Sequence, residues 1–377
     1  MDDTIAAIST AQGVGAISII RVSGTDAIKI VNKIFSNKKF LNAPSHTIHY
    51  GYIMDGDERI DEVLVTIMRA PKTFTKEDIV EINAHGGIMT TDKILELLLV
   101  NGCRLAEPGE FTKRAFLNGR IDLTEAEGVM DLINSKTDIS RKIALNQVGG
   151  KVSSMISDLR DELAGIIANI EVNIDYPEYE DIEEMTIEKI NSNLSELESK
   201  IDKILKESKN GEILTNGIKT AIVGKPNVGK SSLLNRLIGE DKAIVTDIQG
   251  TTRDSIEATL RIDNLILNLI DTAGIRKTED VVESIGVDKS LKLIDEADLI
   301  LFVVNYNEKL SHDDLVILDK LKDKNYITIV NKTDLDKKID DDKLSNVVYV
   351  SALNDDNIDE IGNKIKKLFN LEKIETT

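Results

Sequence analysis

The sequence predicts an α/β protein in three regions, and three observations carry that reading. Over residues 1 to about 120, strand-like runs (Ala16 to Val22, Val63 to Met68, Ile79 to Asn83) alternate with helical ones (Asp26 to Ile34, Thr91 to Val100), as in an α/β or α+β domain. From 121 to about 213, apolar residues recur at helical spacing. From 214 to about 372, an apolar strand, a glycine-rich loop and a helical pattern open a second α/β region, and residues 373–377 form a short end. A chain of 377 residues is too long for one typical domain, which agrees with this division.

In the first region no constellation of side chains declares a chemistry. Arg21, Glu81 and Arg120, each by itself, read as exposed charges. In the second region Thr124-Glu125-Ala126-Glu127 predicts a capping box with the hydroxyl at N-cap and Glu127 at N3. Val148, Val152, Ile156, Leu159, Leu163, Ile166 and Ile170 then make one apolar stripe. Asp175-Tyr176-Pro177-Glu178-Tyr179-Glu180-Asp181 breaks that helix through its proline and its charge density. A second stripe, Ile187, Ile190, Leu194, Leu197, Ile201 and Ile204, is close to a heptad. The pair reads as a rigid helical arm or as a helix hairpin. Lys209-Asn210-Gly211 and Asn216-Gly217 predict the junction to the third region.

The third region carries the densest chemistry. Gly224-Lys225-Pro226-Asn227-Val228-Gly229-Lys230-Ser231 lies between the strand Ile218 to Val223 and the helical run Ser232 to Leu237, the context that a phosphate-cradling loop requires. Its glycines let backbone amides turn toward phosphates, the helix N-terminus adds its dipole, Lys230 brings a charge and Ser231 a hydroxyl for Mg²⁺. Asp271-Thr272-Ala273-Gly274 ends another apolar strand, with an Asp suited to the Mg²⁺ shell and a glycine amide suited to a γ-phosphate. Asn331-Lys332-Thr333-Asp334 follows the strand Tyr326 to Val330, and Ser351-Ala352-Leu353 follows Val347 to Val350. The Asp334 carboxylate can accept both the ring N–H and the amino group of guanine, a pairing that adenine does not offer. In this order and at strand ends, the segments imply a GTP site.

Ile275 stands where a Ras-type enzyme carries a water-orienting Gln, and an aliphatic side chain cannot polarise water. Asn227 places an uncharged oxygen in the phosphate loop. It either helps hold a monovalent cation that stabilises transition-state charge, or merely caps the loop turn. Thr246-Asp247-Ile248-Gln249-Gly250-Thr251-Thr252-Arg253-Asp254 is the expected switch segment, with Thr252 as a second Mg²⁺ hydroxyl.

These motifs, with Gly15-Ala16-Ile17-Ser18-Ile19-Ile20-Arg21-Val22-Ser23-Gly24, His85-Gly86-Gly87 and the run from Pro108-Gly109-Glu110-Phe111 to Asn118-Gly119-Arg120, resemble the MnmE (TrmE) family of tRNA-modification GTPases from residue 1 to about 370. The resemblance implies an N-terminal folate-binding and dimerisation domain, and a helical domain into which a Ras-like GTPase domain is inserted. It implies GTP contacts from Asn227, Val228, Gly229, Lys230, Ser231, Ser232, the segment Thr246, Asp247, Ile248, Gln249, Gly250, Thr251, Thr252, then Asp271, Thr272, Ala273, Gly274, Asn331, Lys332, Asp334, Ser351, Ala352 and Leu353. Asn227, Thr246, Ile248 and Thr251 would hold K⁺, and Ser231 and Thr252 would hold Mg²⁺. Glu283 matches the water-positioning glutamate, and Arg276 matches a basic switch residue.

By the same resemblance, Arg21, Glu81 and Arg120 would contact a tetrahydrofolate one-carbon donor, with 5-formyl-tetrahydrofolate as an analogue. The family works as a homodimer and, with a flavoprotein of the MnmG (GidA) type that supplies FAD and NADH, adds a carboxymethylaminomethyl-type group to C5 of the wobble uridine of tRNA. Past Leu371 nothing matches the family's further helices or its cysteine-containing tail. The expectation is therefore GTP binding and hydrolysis without full modification activity.

Composition sets the outer bounds. One cysteine, Cys103, excludes a disulfide framework and suits a reducing cytoplasm. No apolar stretch approaches membrane-spanning length, and the N-terminus Met1-Asp2-Asp3-Thr4 is acidic where a signal peptide is basic. The expected location is cytoplasmic. A net charge of −19 argues against broad electrostatic adhesion to RNA, so any tRNA contact is local or shared with a basic partner. The alternative reading is a GTP-switched RNA-binding or ribosome-assembly factor of the Era or EngA type. Such a factor should carry a basic RNA-binding module, and the first 120 residues are where the two readings part.

Overall fold

A computed structural model describes residues 3–176, 186–238, 256–270 and 287–371. Two compact units emerge. One takes the chain up to Met130 together with Gln147–Ser154, and the other takes Asp131–Asn146 and the chain from Met155 onward.

The first unit is built on a six-stranded sheet. Its strands are β1 (Ile5–Ile8), β2 (Ile17–Ser23), β3 (Thr47–Asp55), β4 (Glu58–Met68), β5 (Ile79–His85) and β6 (Arg104–Leu105), in the order β3-β4-β5-β2-β1-β6. Every pairing is antiparallel except β1 with β6. The β3–β4 hairpin turns at Asp55–Glu58, where Gly56 takes φ +59°, the left-handed geometry that a tight hairpin turn demands. Val63, Val65, Ile67, Val80, Ile82 and Ala84 alternate inward and pack with α1 (Ala27–Ile34) and α2 (Ile88–Val100) into one core. Helix α2 begins three residues earlier than its apolar pattern suggested, and β1 and β3 were not foreseen. Strand β1 is only four residues long, and the edge strand β3 mixes polar and apolar residues with few of them buried, which blurs a period-two signal. Cys103 lies buried here, and burial pushes its thiol pKa up to about 12, so it behaves as a structural apolar group.

After α3 (Glu110–Leu117) comes α4 (Leu123–Asn134). Its cap corrects the sequence reading by two residues. Asp122 is the N-cap, accepting from the Glu125 N–H at 2.8 Å, while Glu125 accepts from the Asp122 N–H at 2.8 Å. A carboxylate outcompetes the nearby hydroxyl for the helix N–H groups, and Thr124 instead donates to Asp122.

In the second unit, α5 (Asp138–Val148) leads to α6 (Lys151–Asp175), and α7 follows over Ile187–Asn216. Lys200 reaches Glu162 at 2.8 Å between the two long helices. Ile166 and Leu197 are buried, while Ile156, Leu163, Ile167, Leu194 and Ile201 stay exposed. The expected junction at Lys209-Asn210-Gly211 is overturned, because α7 runs through it and stops only at Gly217, whose φ is +81°. A single glycine costs a helix little when thirty residues of it cooperate.

The second sheet orders β7 (Ile218–Val223), β8 (Ile256–Ile262), β9 (Leu265–Ile270), β10 (Leu299–Asn305), β11 (Tyr326–Asn331) and β12 (Val347–Tyr349) as β12-β11-β10-β7-β9-β8. All are parallel except β8 with β9. Apolar side chains of α8 (Lys230–Ile238) and α11 (Ile358–Leu368) cover one face. Those of α9 (Val287–Glu296) and α10 (His312–Lys320) cover the other. With both faces covered, the strands are continuous apolar runs, and polar residues can gather only where the strands end.

Candidate nucleotide-binding site

Four loops at the carboxyl ends of β7, β10, β11 and β12 converge. Strand β7 delivers Gly224, whose φ is +150° and where an added Cβ would lie 2.3 Å from the Val303 carbonyl oxygen. Gly229, at φ +94°, would put a Cβ 2.3 Å from Asn331 Nδ2. Only glycine fits at either point, so the loop between them wraps against β10 and the β11 loop. Asn227 takes φ +64° in the middle of the wrap.

Helix α8 starts at Lys230, with Gly229 accepting the Leu233 N–H at 2.9 Å. Lys230, Ser231 and Ser232 thus fill the first turn, where main-chain N–H groups lack helical partners and attract anions. The Lys230 ammonium donates to the carbonyls of Gly224 at 2.9 Å and Lys225 at 2.7 Å.

Asn331 organises the rest. Its side chain is 2% exposed, donates to the Val228 carbonyl at 2.9 Å and accepts the Ala352 N–H at 3.1 Å. One amide therefore locks the phosphate loop, the β11 loop and the β12 loop together. Lys332 donates to the Asn227 carbonyl at 2.7 Å. Ser351 donates to Asp334 Oδ1 at 2.6 Å and accepts the Asn354 N–H at 3.3 Å, which orients the exposed Asp334 carboxylate. Leu353 is exposed beside it. Among the described residues, no hydrogen bond ties the Asn227 side chain to its loop.

The structure thus gathers Asn227 to Ser232, Asn331, Lys332, Asp334 and Ser351 to Leu353. Thr246, Asp247, Ile248, Gln249, Gly250, Thr251, Thr252, Asp271, Thr272, Ala273, Gly274, Ile275, Arg276 and Glu283 lie outside the described residues. Sequence reasoning missed Lys225, Glu308 and Asp314, which meet behind the loop, with Lys225 Nζ 2.7 Å from Glu308. The polar run Asn305-Tyr306-Asn307-Glu308 at the end of an apolar strand was the available signal.

A second convergence lies on the first unit. Arg21 on β2 faces Glu81 on β5 in register, with Nε at 2.8 Å from its carboxylate. The Arg21 guanidinium sits 5.9 Å from the Phe74 ring centre and 5.6 Å from that of Phe111. Arg120 covers Phe74 at 4.8 Å and donates to its carbonyl at 3.0 Å. A pocket of about 430 Å³ opens there, lined by Met68, Pro71, Lys72, Thr73, Phe74, Lys76 and Arg120. The sequence did not single out Phe74 or the pocket wall. A larger cavity, about 590 Å³, lies at the opposite end of the second sheet from the nucleotide-binding loops, beside Gly217, Asp298 and Asn325.

Among the described residues no group of three or more His, Cys, Asp or Glu side chains could hold a metal ion, and no helix is long and apolar enough to cross a membrane. Residues 4–120 match the family model described as the GTP-binding protein TrmE N-terminus, and residues 123–377 match that of the MnmE helical domain. The tRNA modification GTPase MnmE of Bacillus cytotoxicus is 55% identical over 375 residues, which covers 97% of this chain and 82% of that one. The protein of the same name from Streptococcus thermophilus is 54% identical over 368 residues, covering 97% and 81%. A solved structure of Aquifex aeolicus Era bound to GDP·AlF4⁻ shares 32% identity at a TM-score of 0.30, covering 40% of this chain and 56% of that chain.

Proposed function

The chain belongs to the MnmE (TrmE) family of tRNA-modification GTPases, and from this we propose a K⁺-dependent GTPase that modifies C5 of the wobble uridine of tRNA together with a flavoprotein of the MnmG (GidA) type. The partner brings FAD and NADH, a tetrahydrofolate derivative donates the one-carbon unit, and the cytoplasmic working form is a homodimer. The observation that carries the nucleotide half is the pair of hydrogen bonds from the Asn331 amide, which ties the loop of Asp334 to the phosphate loop and the β12 loop. A base held by Asp334 then places its phosphates over the first turn of α8, where Lys230 and the main-chain N–H groups neutralise them.

The K⁺ reading draws support from Asn227. A residue that merely capped the turn would bond its amide to the loop, and among the described residues it does not. Its oxygen, with those assigned by resemblance to Thr246, Ile248 and Thr251, makes an all-oxygen donor set suited to a hard cation, and Ser231 with Thr252 makes one suited to Mg²⁺. Bound there, the two cations would supply the positive charge that offsets charge developing on the phosphates. Glu283 is the residue proposed to orient the attacking water. For the folate half, Arg21 and Arg120 around Phe74, with Glu81 paired to Arg21, offer charged hydrogen-bonding groups beside an aromatic wall, a fit for a flat, polar-edged ring.

Steady-state GTP hydrolysis in K⁺ against Na⁺ at matched ionic strength tests the reading. We expect faster turnover in K⁺, with the gain abolished in Asn227→Lys and Glu283→Ala. Equal rates in the two salts would overturn the K⁺ mechanism for this chain.

A further inference from the structure

The first residue after Gly224 is held from behind in a way that phosphate chemistry does not require. The Lys225 side chain is only 19% exposed, its Nζ lying 2.7 Å from Glu308 Oε2 and 3.6 Å from Asp314 Oδ2. Glu308 is itself fixed, since Asn305 at the end of β10 donates to its other oxygen at 2.8 Å. Asp314 is 2% exposed and is the N3 residue of the α10 capping box, its Oδ2 accepting from the N–H of the N-cap Ser311 at 2.9 Å and from its hydroxyl at 2.7 Å. Its other oxygen, Oδ1, is buried and has no hydrogen-bond partner among the described residues. A buried carboxylate with a bare oxygen is costly unless a cation faces it. Lys225 is the cation beside this carboxylate, on the side of Oδ2. Burial pulls its pKa down, but Glu308 and Asp314 outweigh burial and hold it above the ordinary value, while Lys225 holds Glu308 below its own.

The same residue's main chain faces the other way, its carbonyl accepting the Lys230 ammonium at 2.7 Å. Residue 225 therefore connects two carboxylates, the exposed Glu308 on the β10–α10 connection and the buried Asp314 in α10, to the lysine that meets the phosphates. We propose that Glu308 and Asp314 are positioning residues for GTP: by holding the Lys225 ammonium they set the main chain at the mouth of the phosphate loop, and through it the place from which Lys230 works. An ordinary surface ion pair would have neither the buried partner nor the fixed second carboxylate.

The test uses the full chain with fluorescent GDP and GTP analogues, measuring Kd, the KM and kcat of hydrolysis, and the thermal midpoint without nucleotide. Glu308→Gln should weaken nucleotide binding roughly tenfold, within the usual range of coupling between sites, and raise KM more than it lowers kcat. Lys225→Arg should keep affinity near wild type because the pair survives. Combining Lys225→Met with Glu308→Gln should be no worse for affinity than Lys225→Met alone, since both remove one interaction. A lower midpoint with unchanged Kd would make the cluster structural only and overturn the proposal. Additive losses in the double variant would overturn it as well. Should Lys225→Met fail to fold, Glu308→Gln and Lys225→Arg still decide between the outcomes.

Discussion

At Asp334 the proposed choice of base rests on one side chain. A carboxylate accepts two N–H groups from guanine, and Ser351 orients it at 2.6 Å. An amide at this position turns one acceptor into a donor, which mismatches guanine and matches the extra carbonyl of xanthine. Asp334→Asn should therefore lose GTP affinity on the order of a hundredfold or more, as when a buried hydrogen-bond pattern is left unmade, and gain affinity for xanthosine nucleotides. Competition binding with GTP and XTP measures both. A loss for both nucleotides alike would mean that Asp334 holds the loop and does not read the base. Asp334, Lys230 and Ser231 were legible in the sequence because each sits in a short motif at a strand end. Lys225 was not legible as a positioned group, because its partner Glu308 lies 83 positions away and no local pattern joins them.

Single elements show where local signals compete. Helix α3 is anchored by Glu110, which is 4% exposed and takes Arg104 at 2.5 Å. Arg114, 1% exposed, joins it from one helical turn on and also meets Glu77 and Asp3. The Arg104 hydrogen bonds, working against burial, depress the Glu110 pKa from 4.5 to about 2. A depressed carboxyl adds stability that is fully present above its unfolded pKa and is lost as pH falls through the folded one. Wild type should thus lose part of its stability between pH 4.5 and about 2. Glu110→Gln should be weaker in urea at pH 6, with its gap to wild type closing toward pH 2. A gap independent of pH would assign the loss to packing.

In α7 the reverse competition holds, since Gly211 sits inside the helix and an added Cβ meets nothing within 4 Å. Gly211→Ala should stabilise the chain by about 0.5–1 kcal/mol, the usual difference in helix propensity, read as a raised urea midpoint. No gain would show that the residue ends the helix in solution, as its Lys209-Asn210-Gly211 context first suggested.

At the scale of the whole molecule, the two proposed sites fall in different compact units. The match of residues 4–120 to the TrmE N-terminus settles the choice between the two readings of the sequence, because that region is not a basic RNA-binding module. Its proposed ligand is open to direct test. Titration calorimetry with 5-formyl-tetrahydrofolate should show saturable binding, weakened roughly tenfold or more in Arg21→Ala and Arg120→Ala, as expected when a charge-assisted hydrogen bond is lost. Guanine-nucleotide binding measured in parallel reports on whether each variant is folded. Saturable binding that neither substitution alters would move the folate site elsewhere on the chain.

The sequence by itself determined the α/β class, the order of the nucleotide motifs and the membership of the family. Strand-end motifs and apolar periods are local, and local chemistry is written in consecutive residues. Tertiary structure alone decided that Asn331 joins three loops, that Arg21 and Arg120 share the Phe74 ring while Glu81 holds Arg21, and that Glu308 and the buried Asp314 stand behind Lys225. Those contacts join residues brought together only by sheet order and helix packing, so no spacing along the chain encodes them.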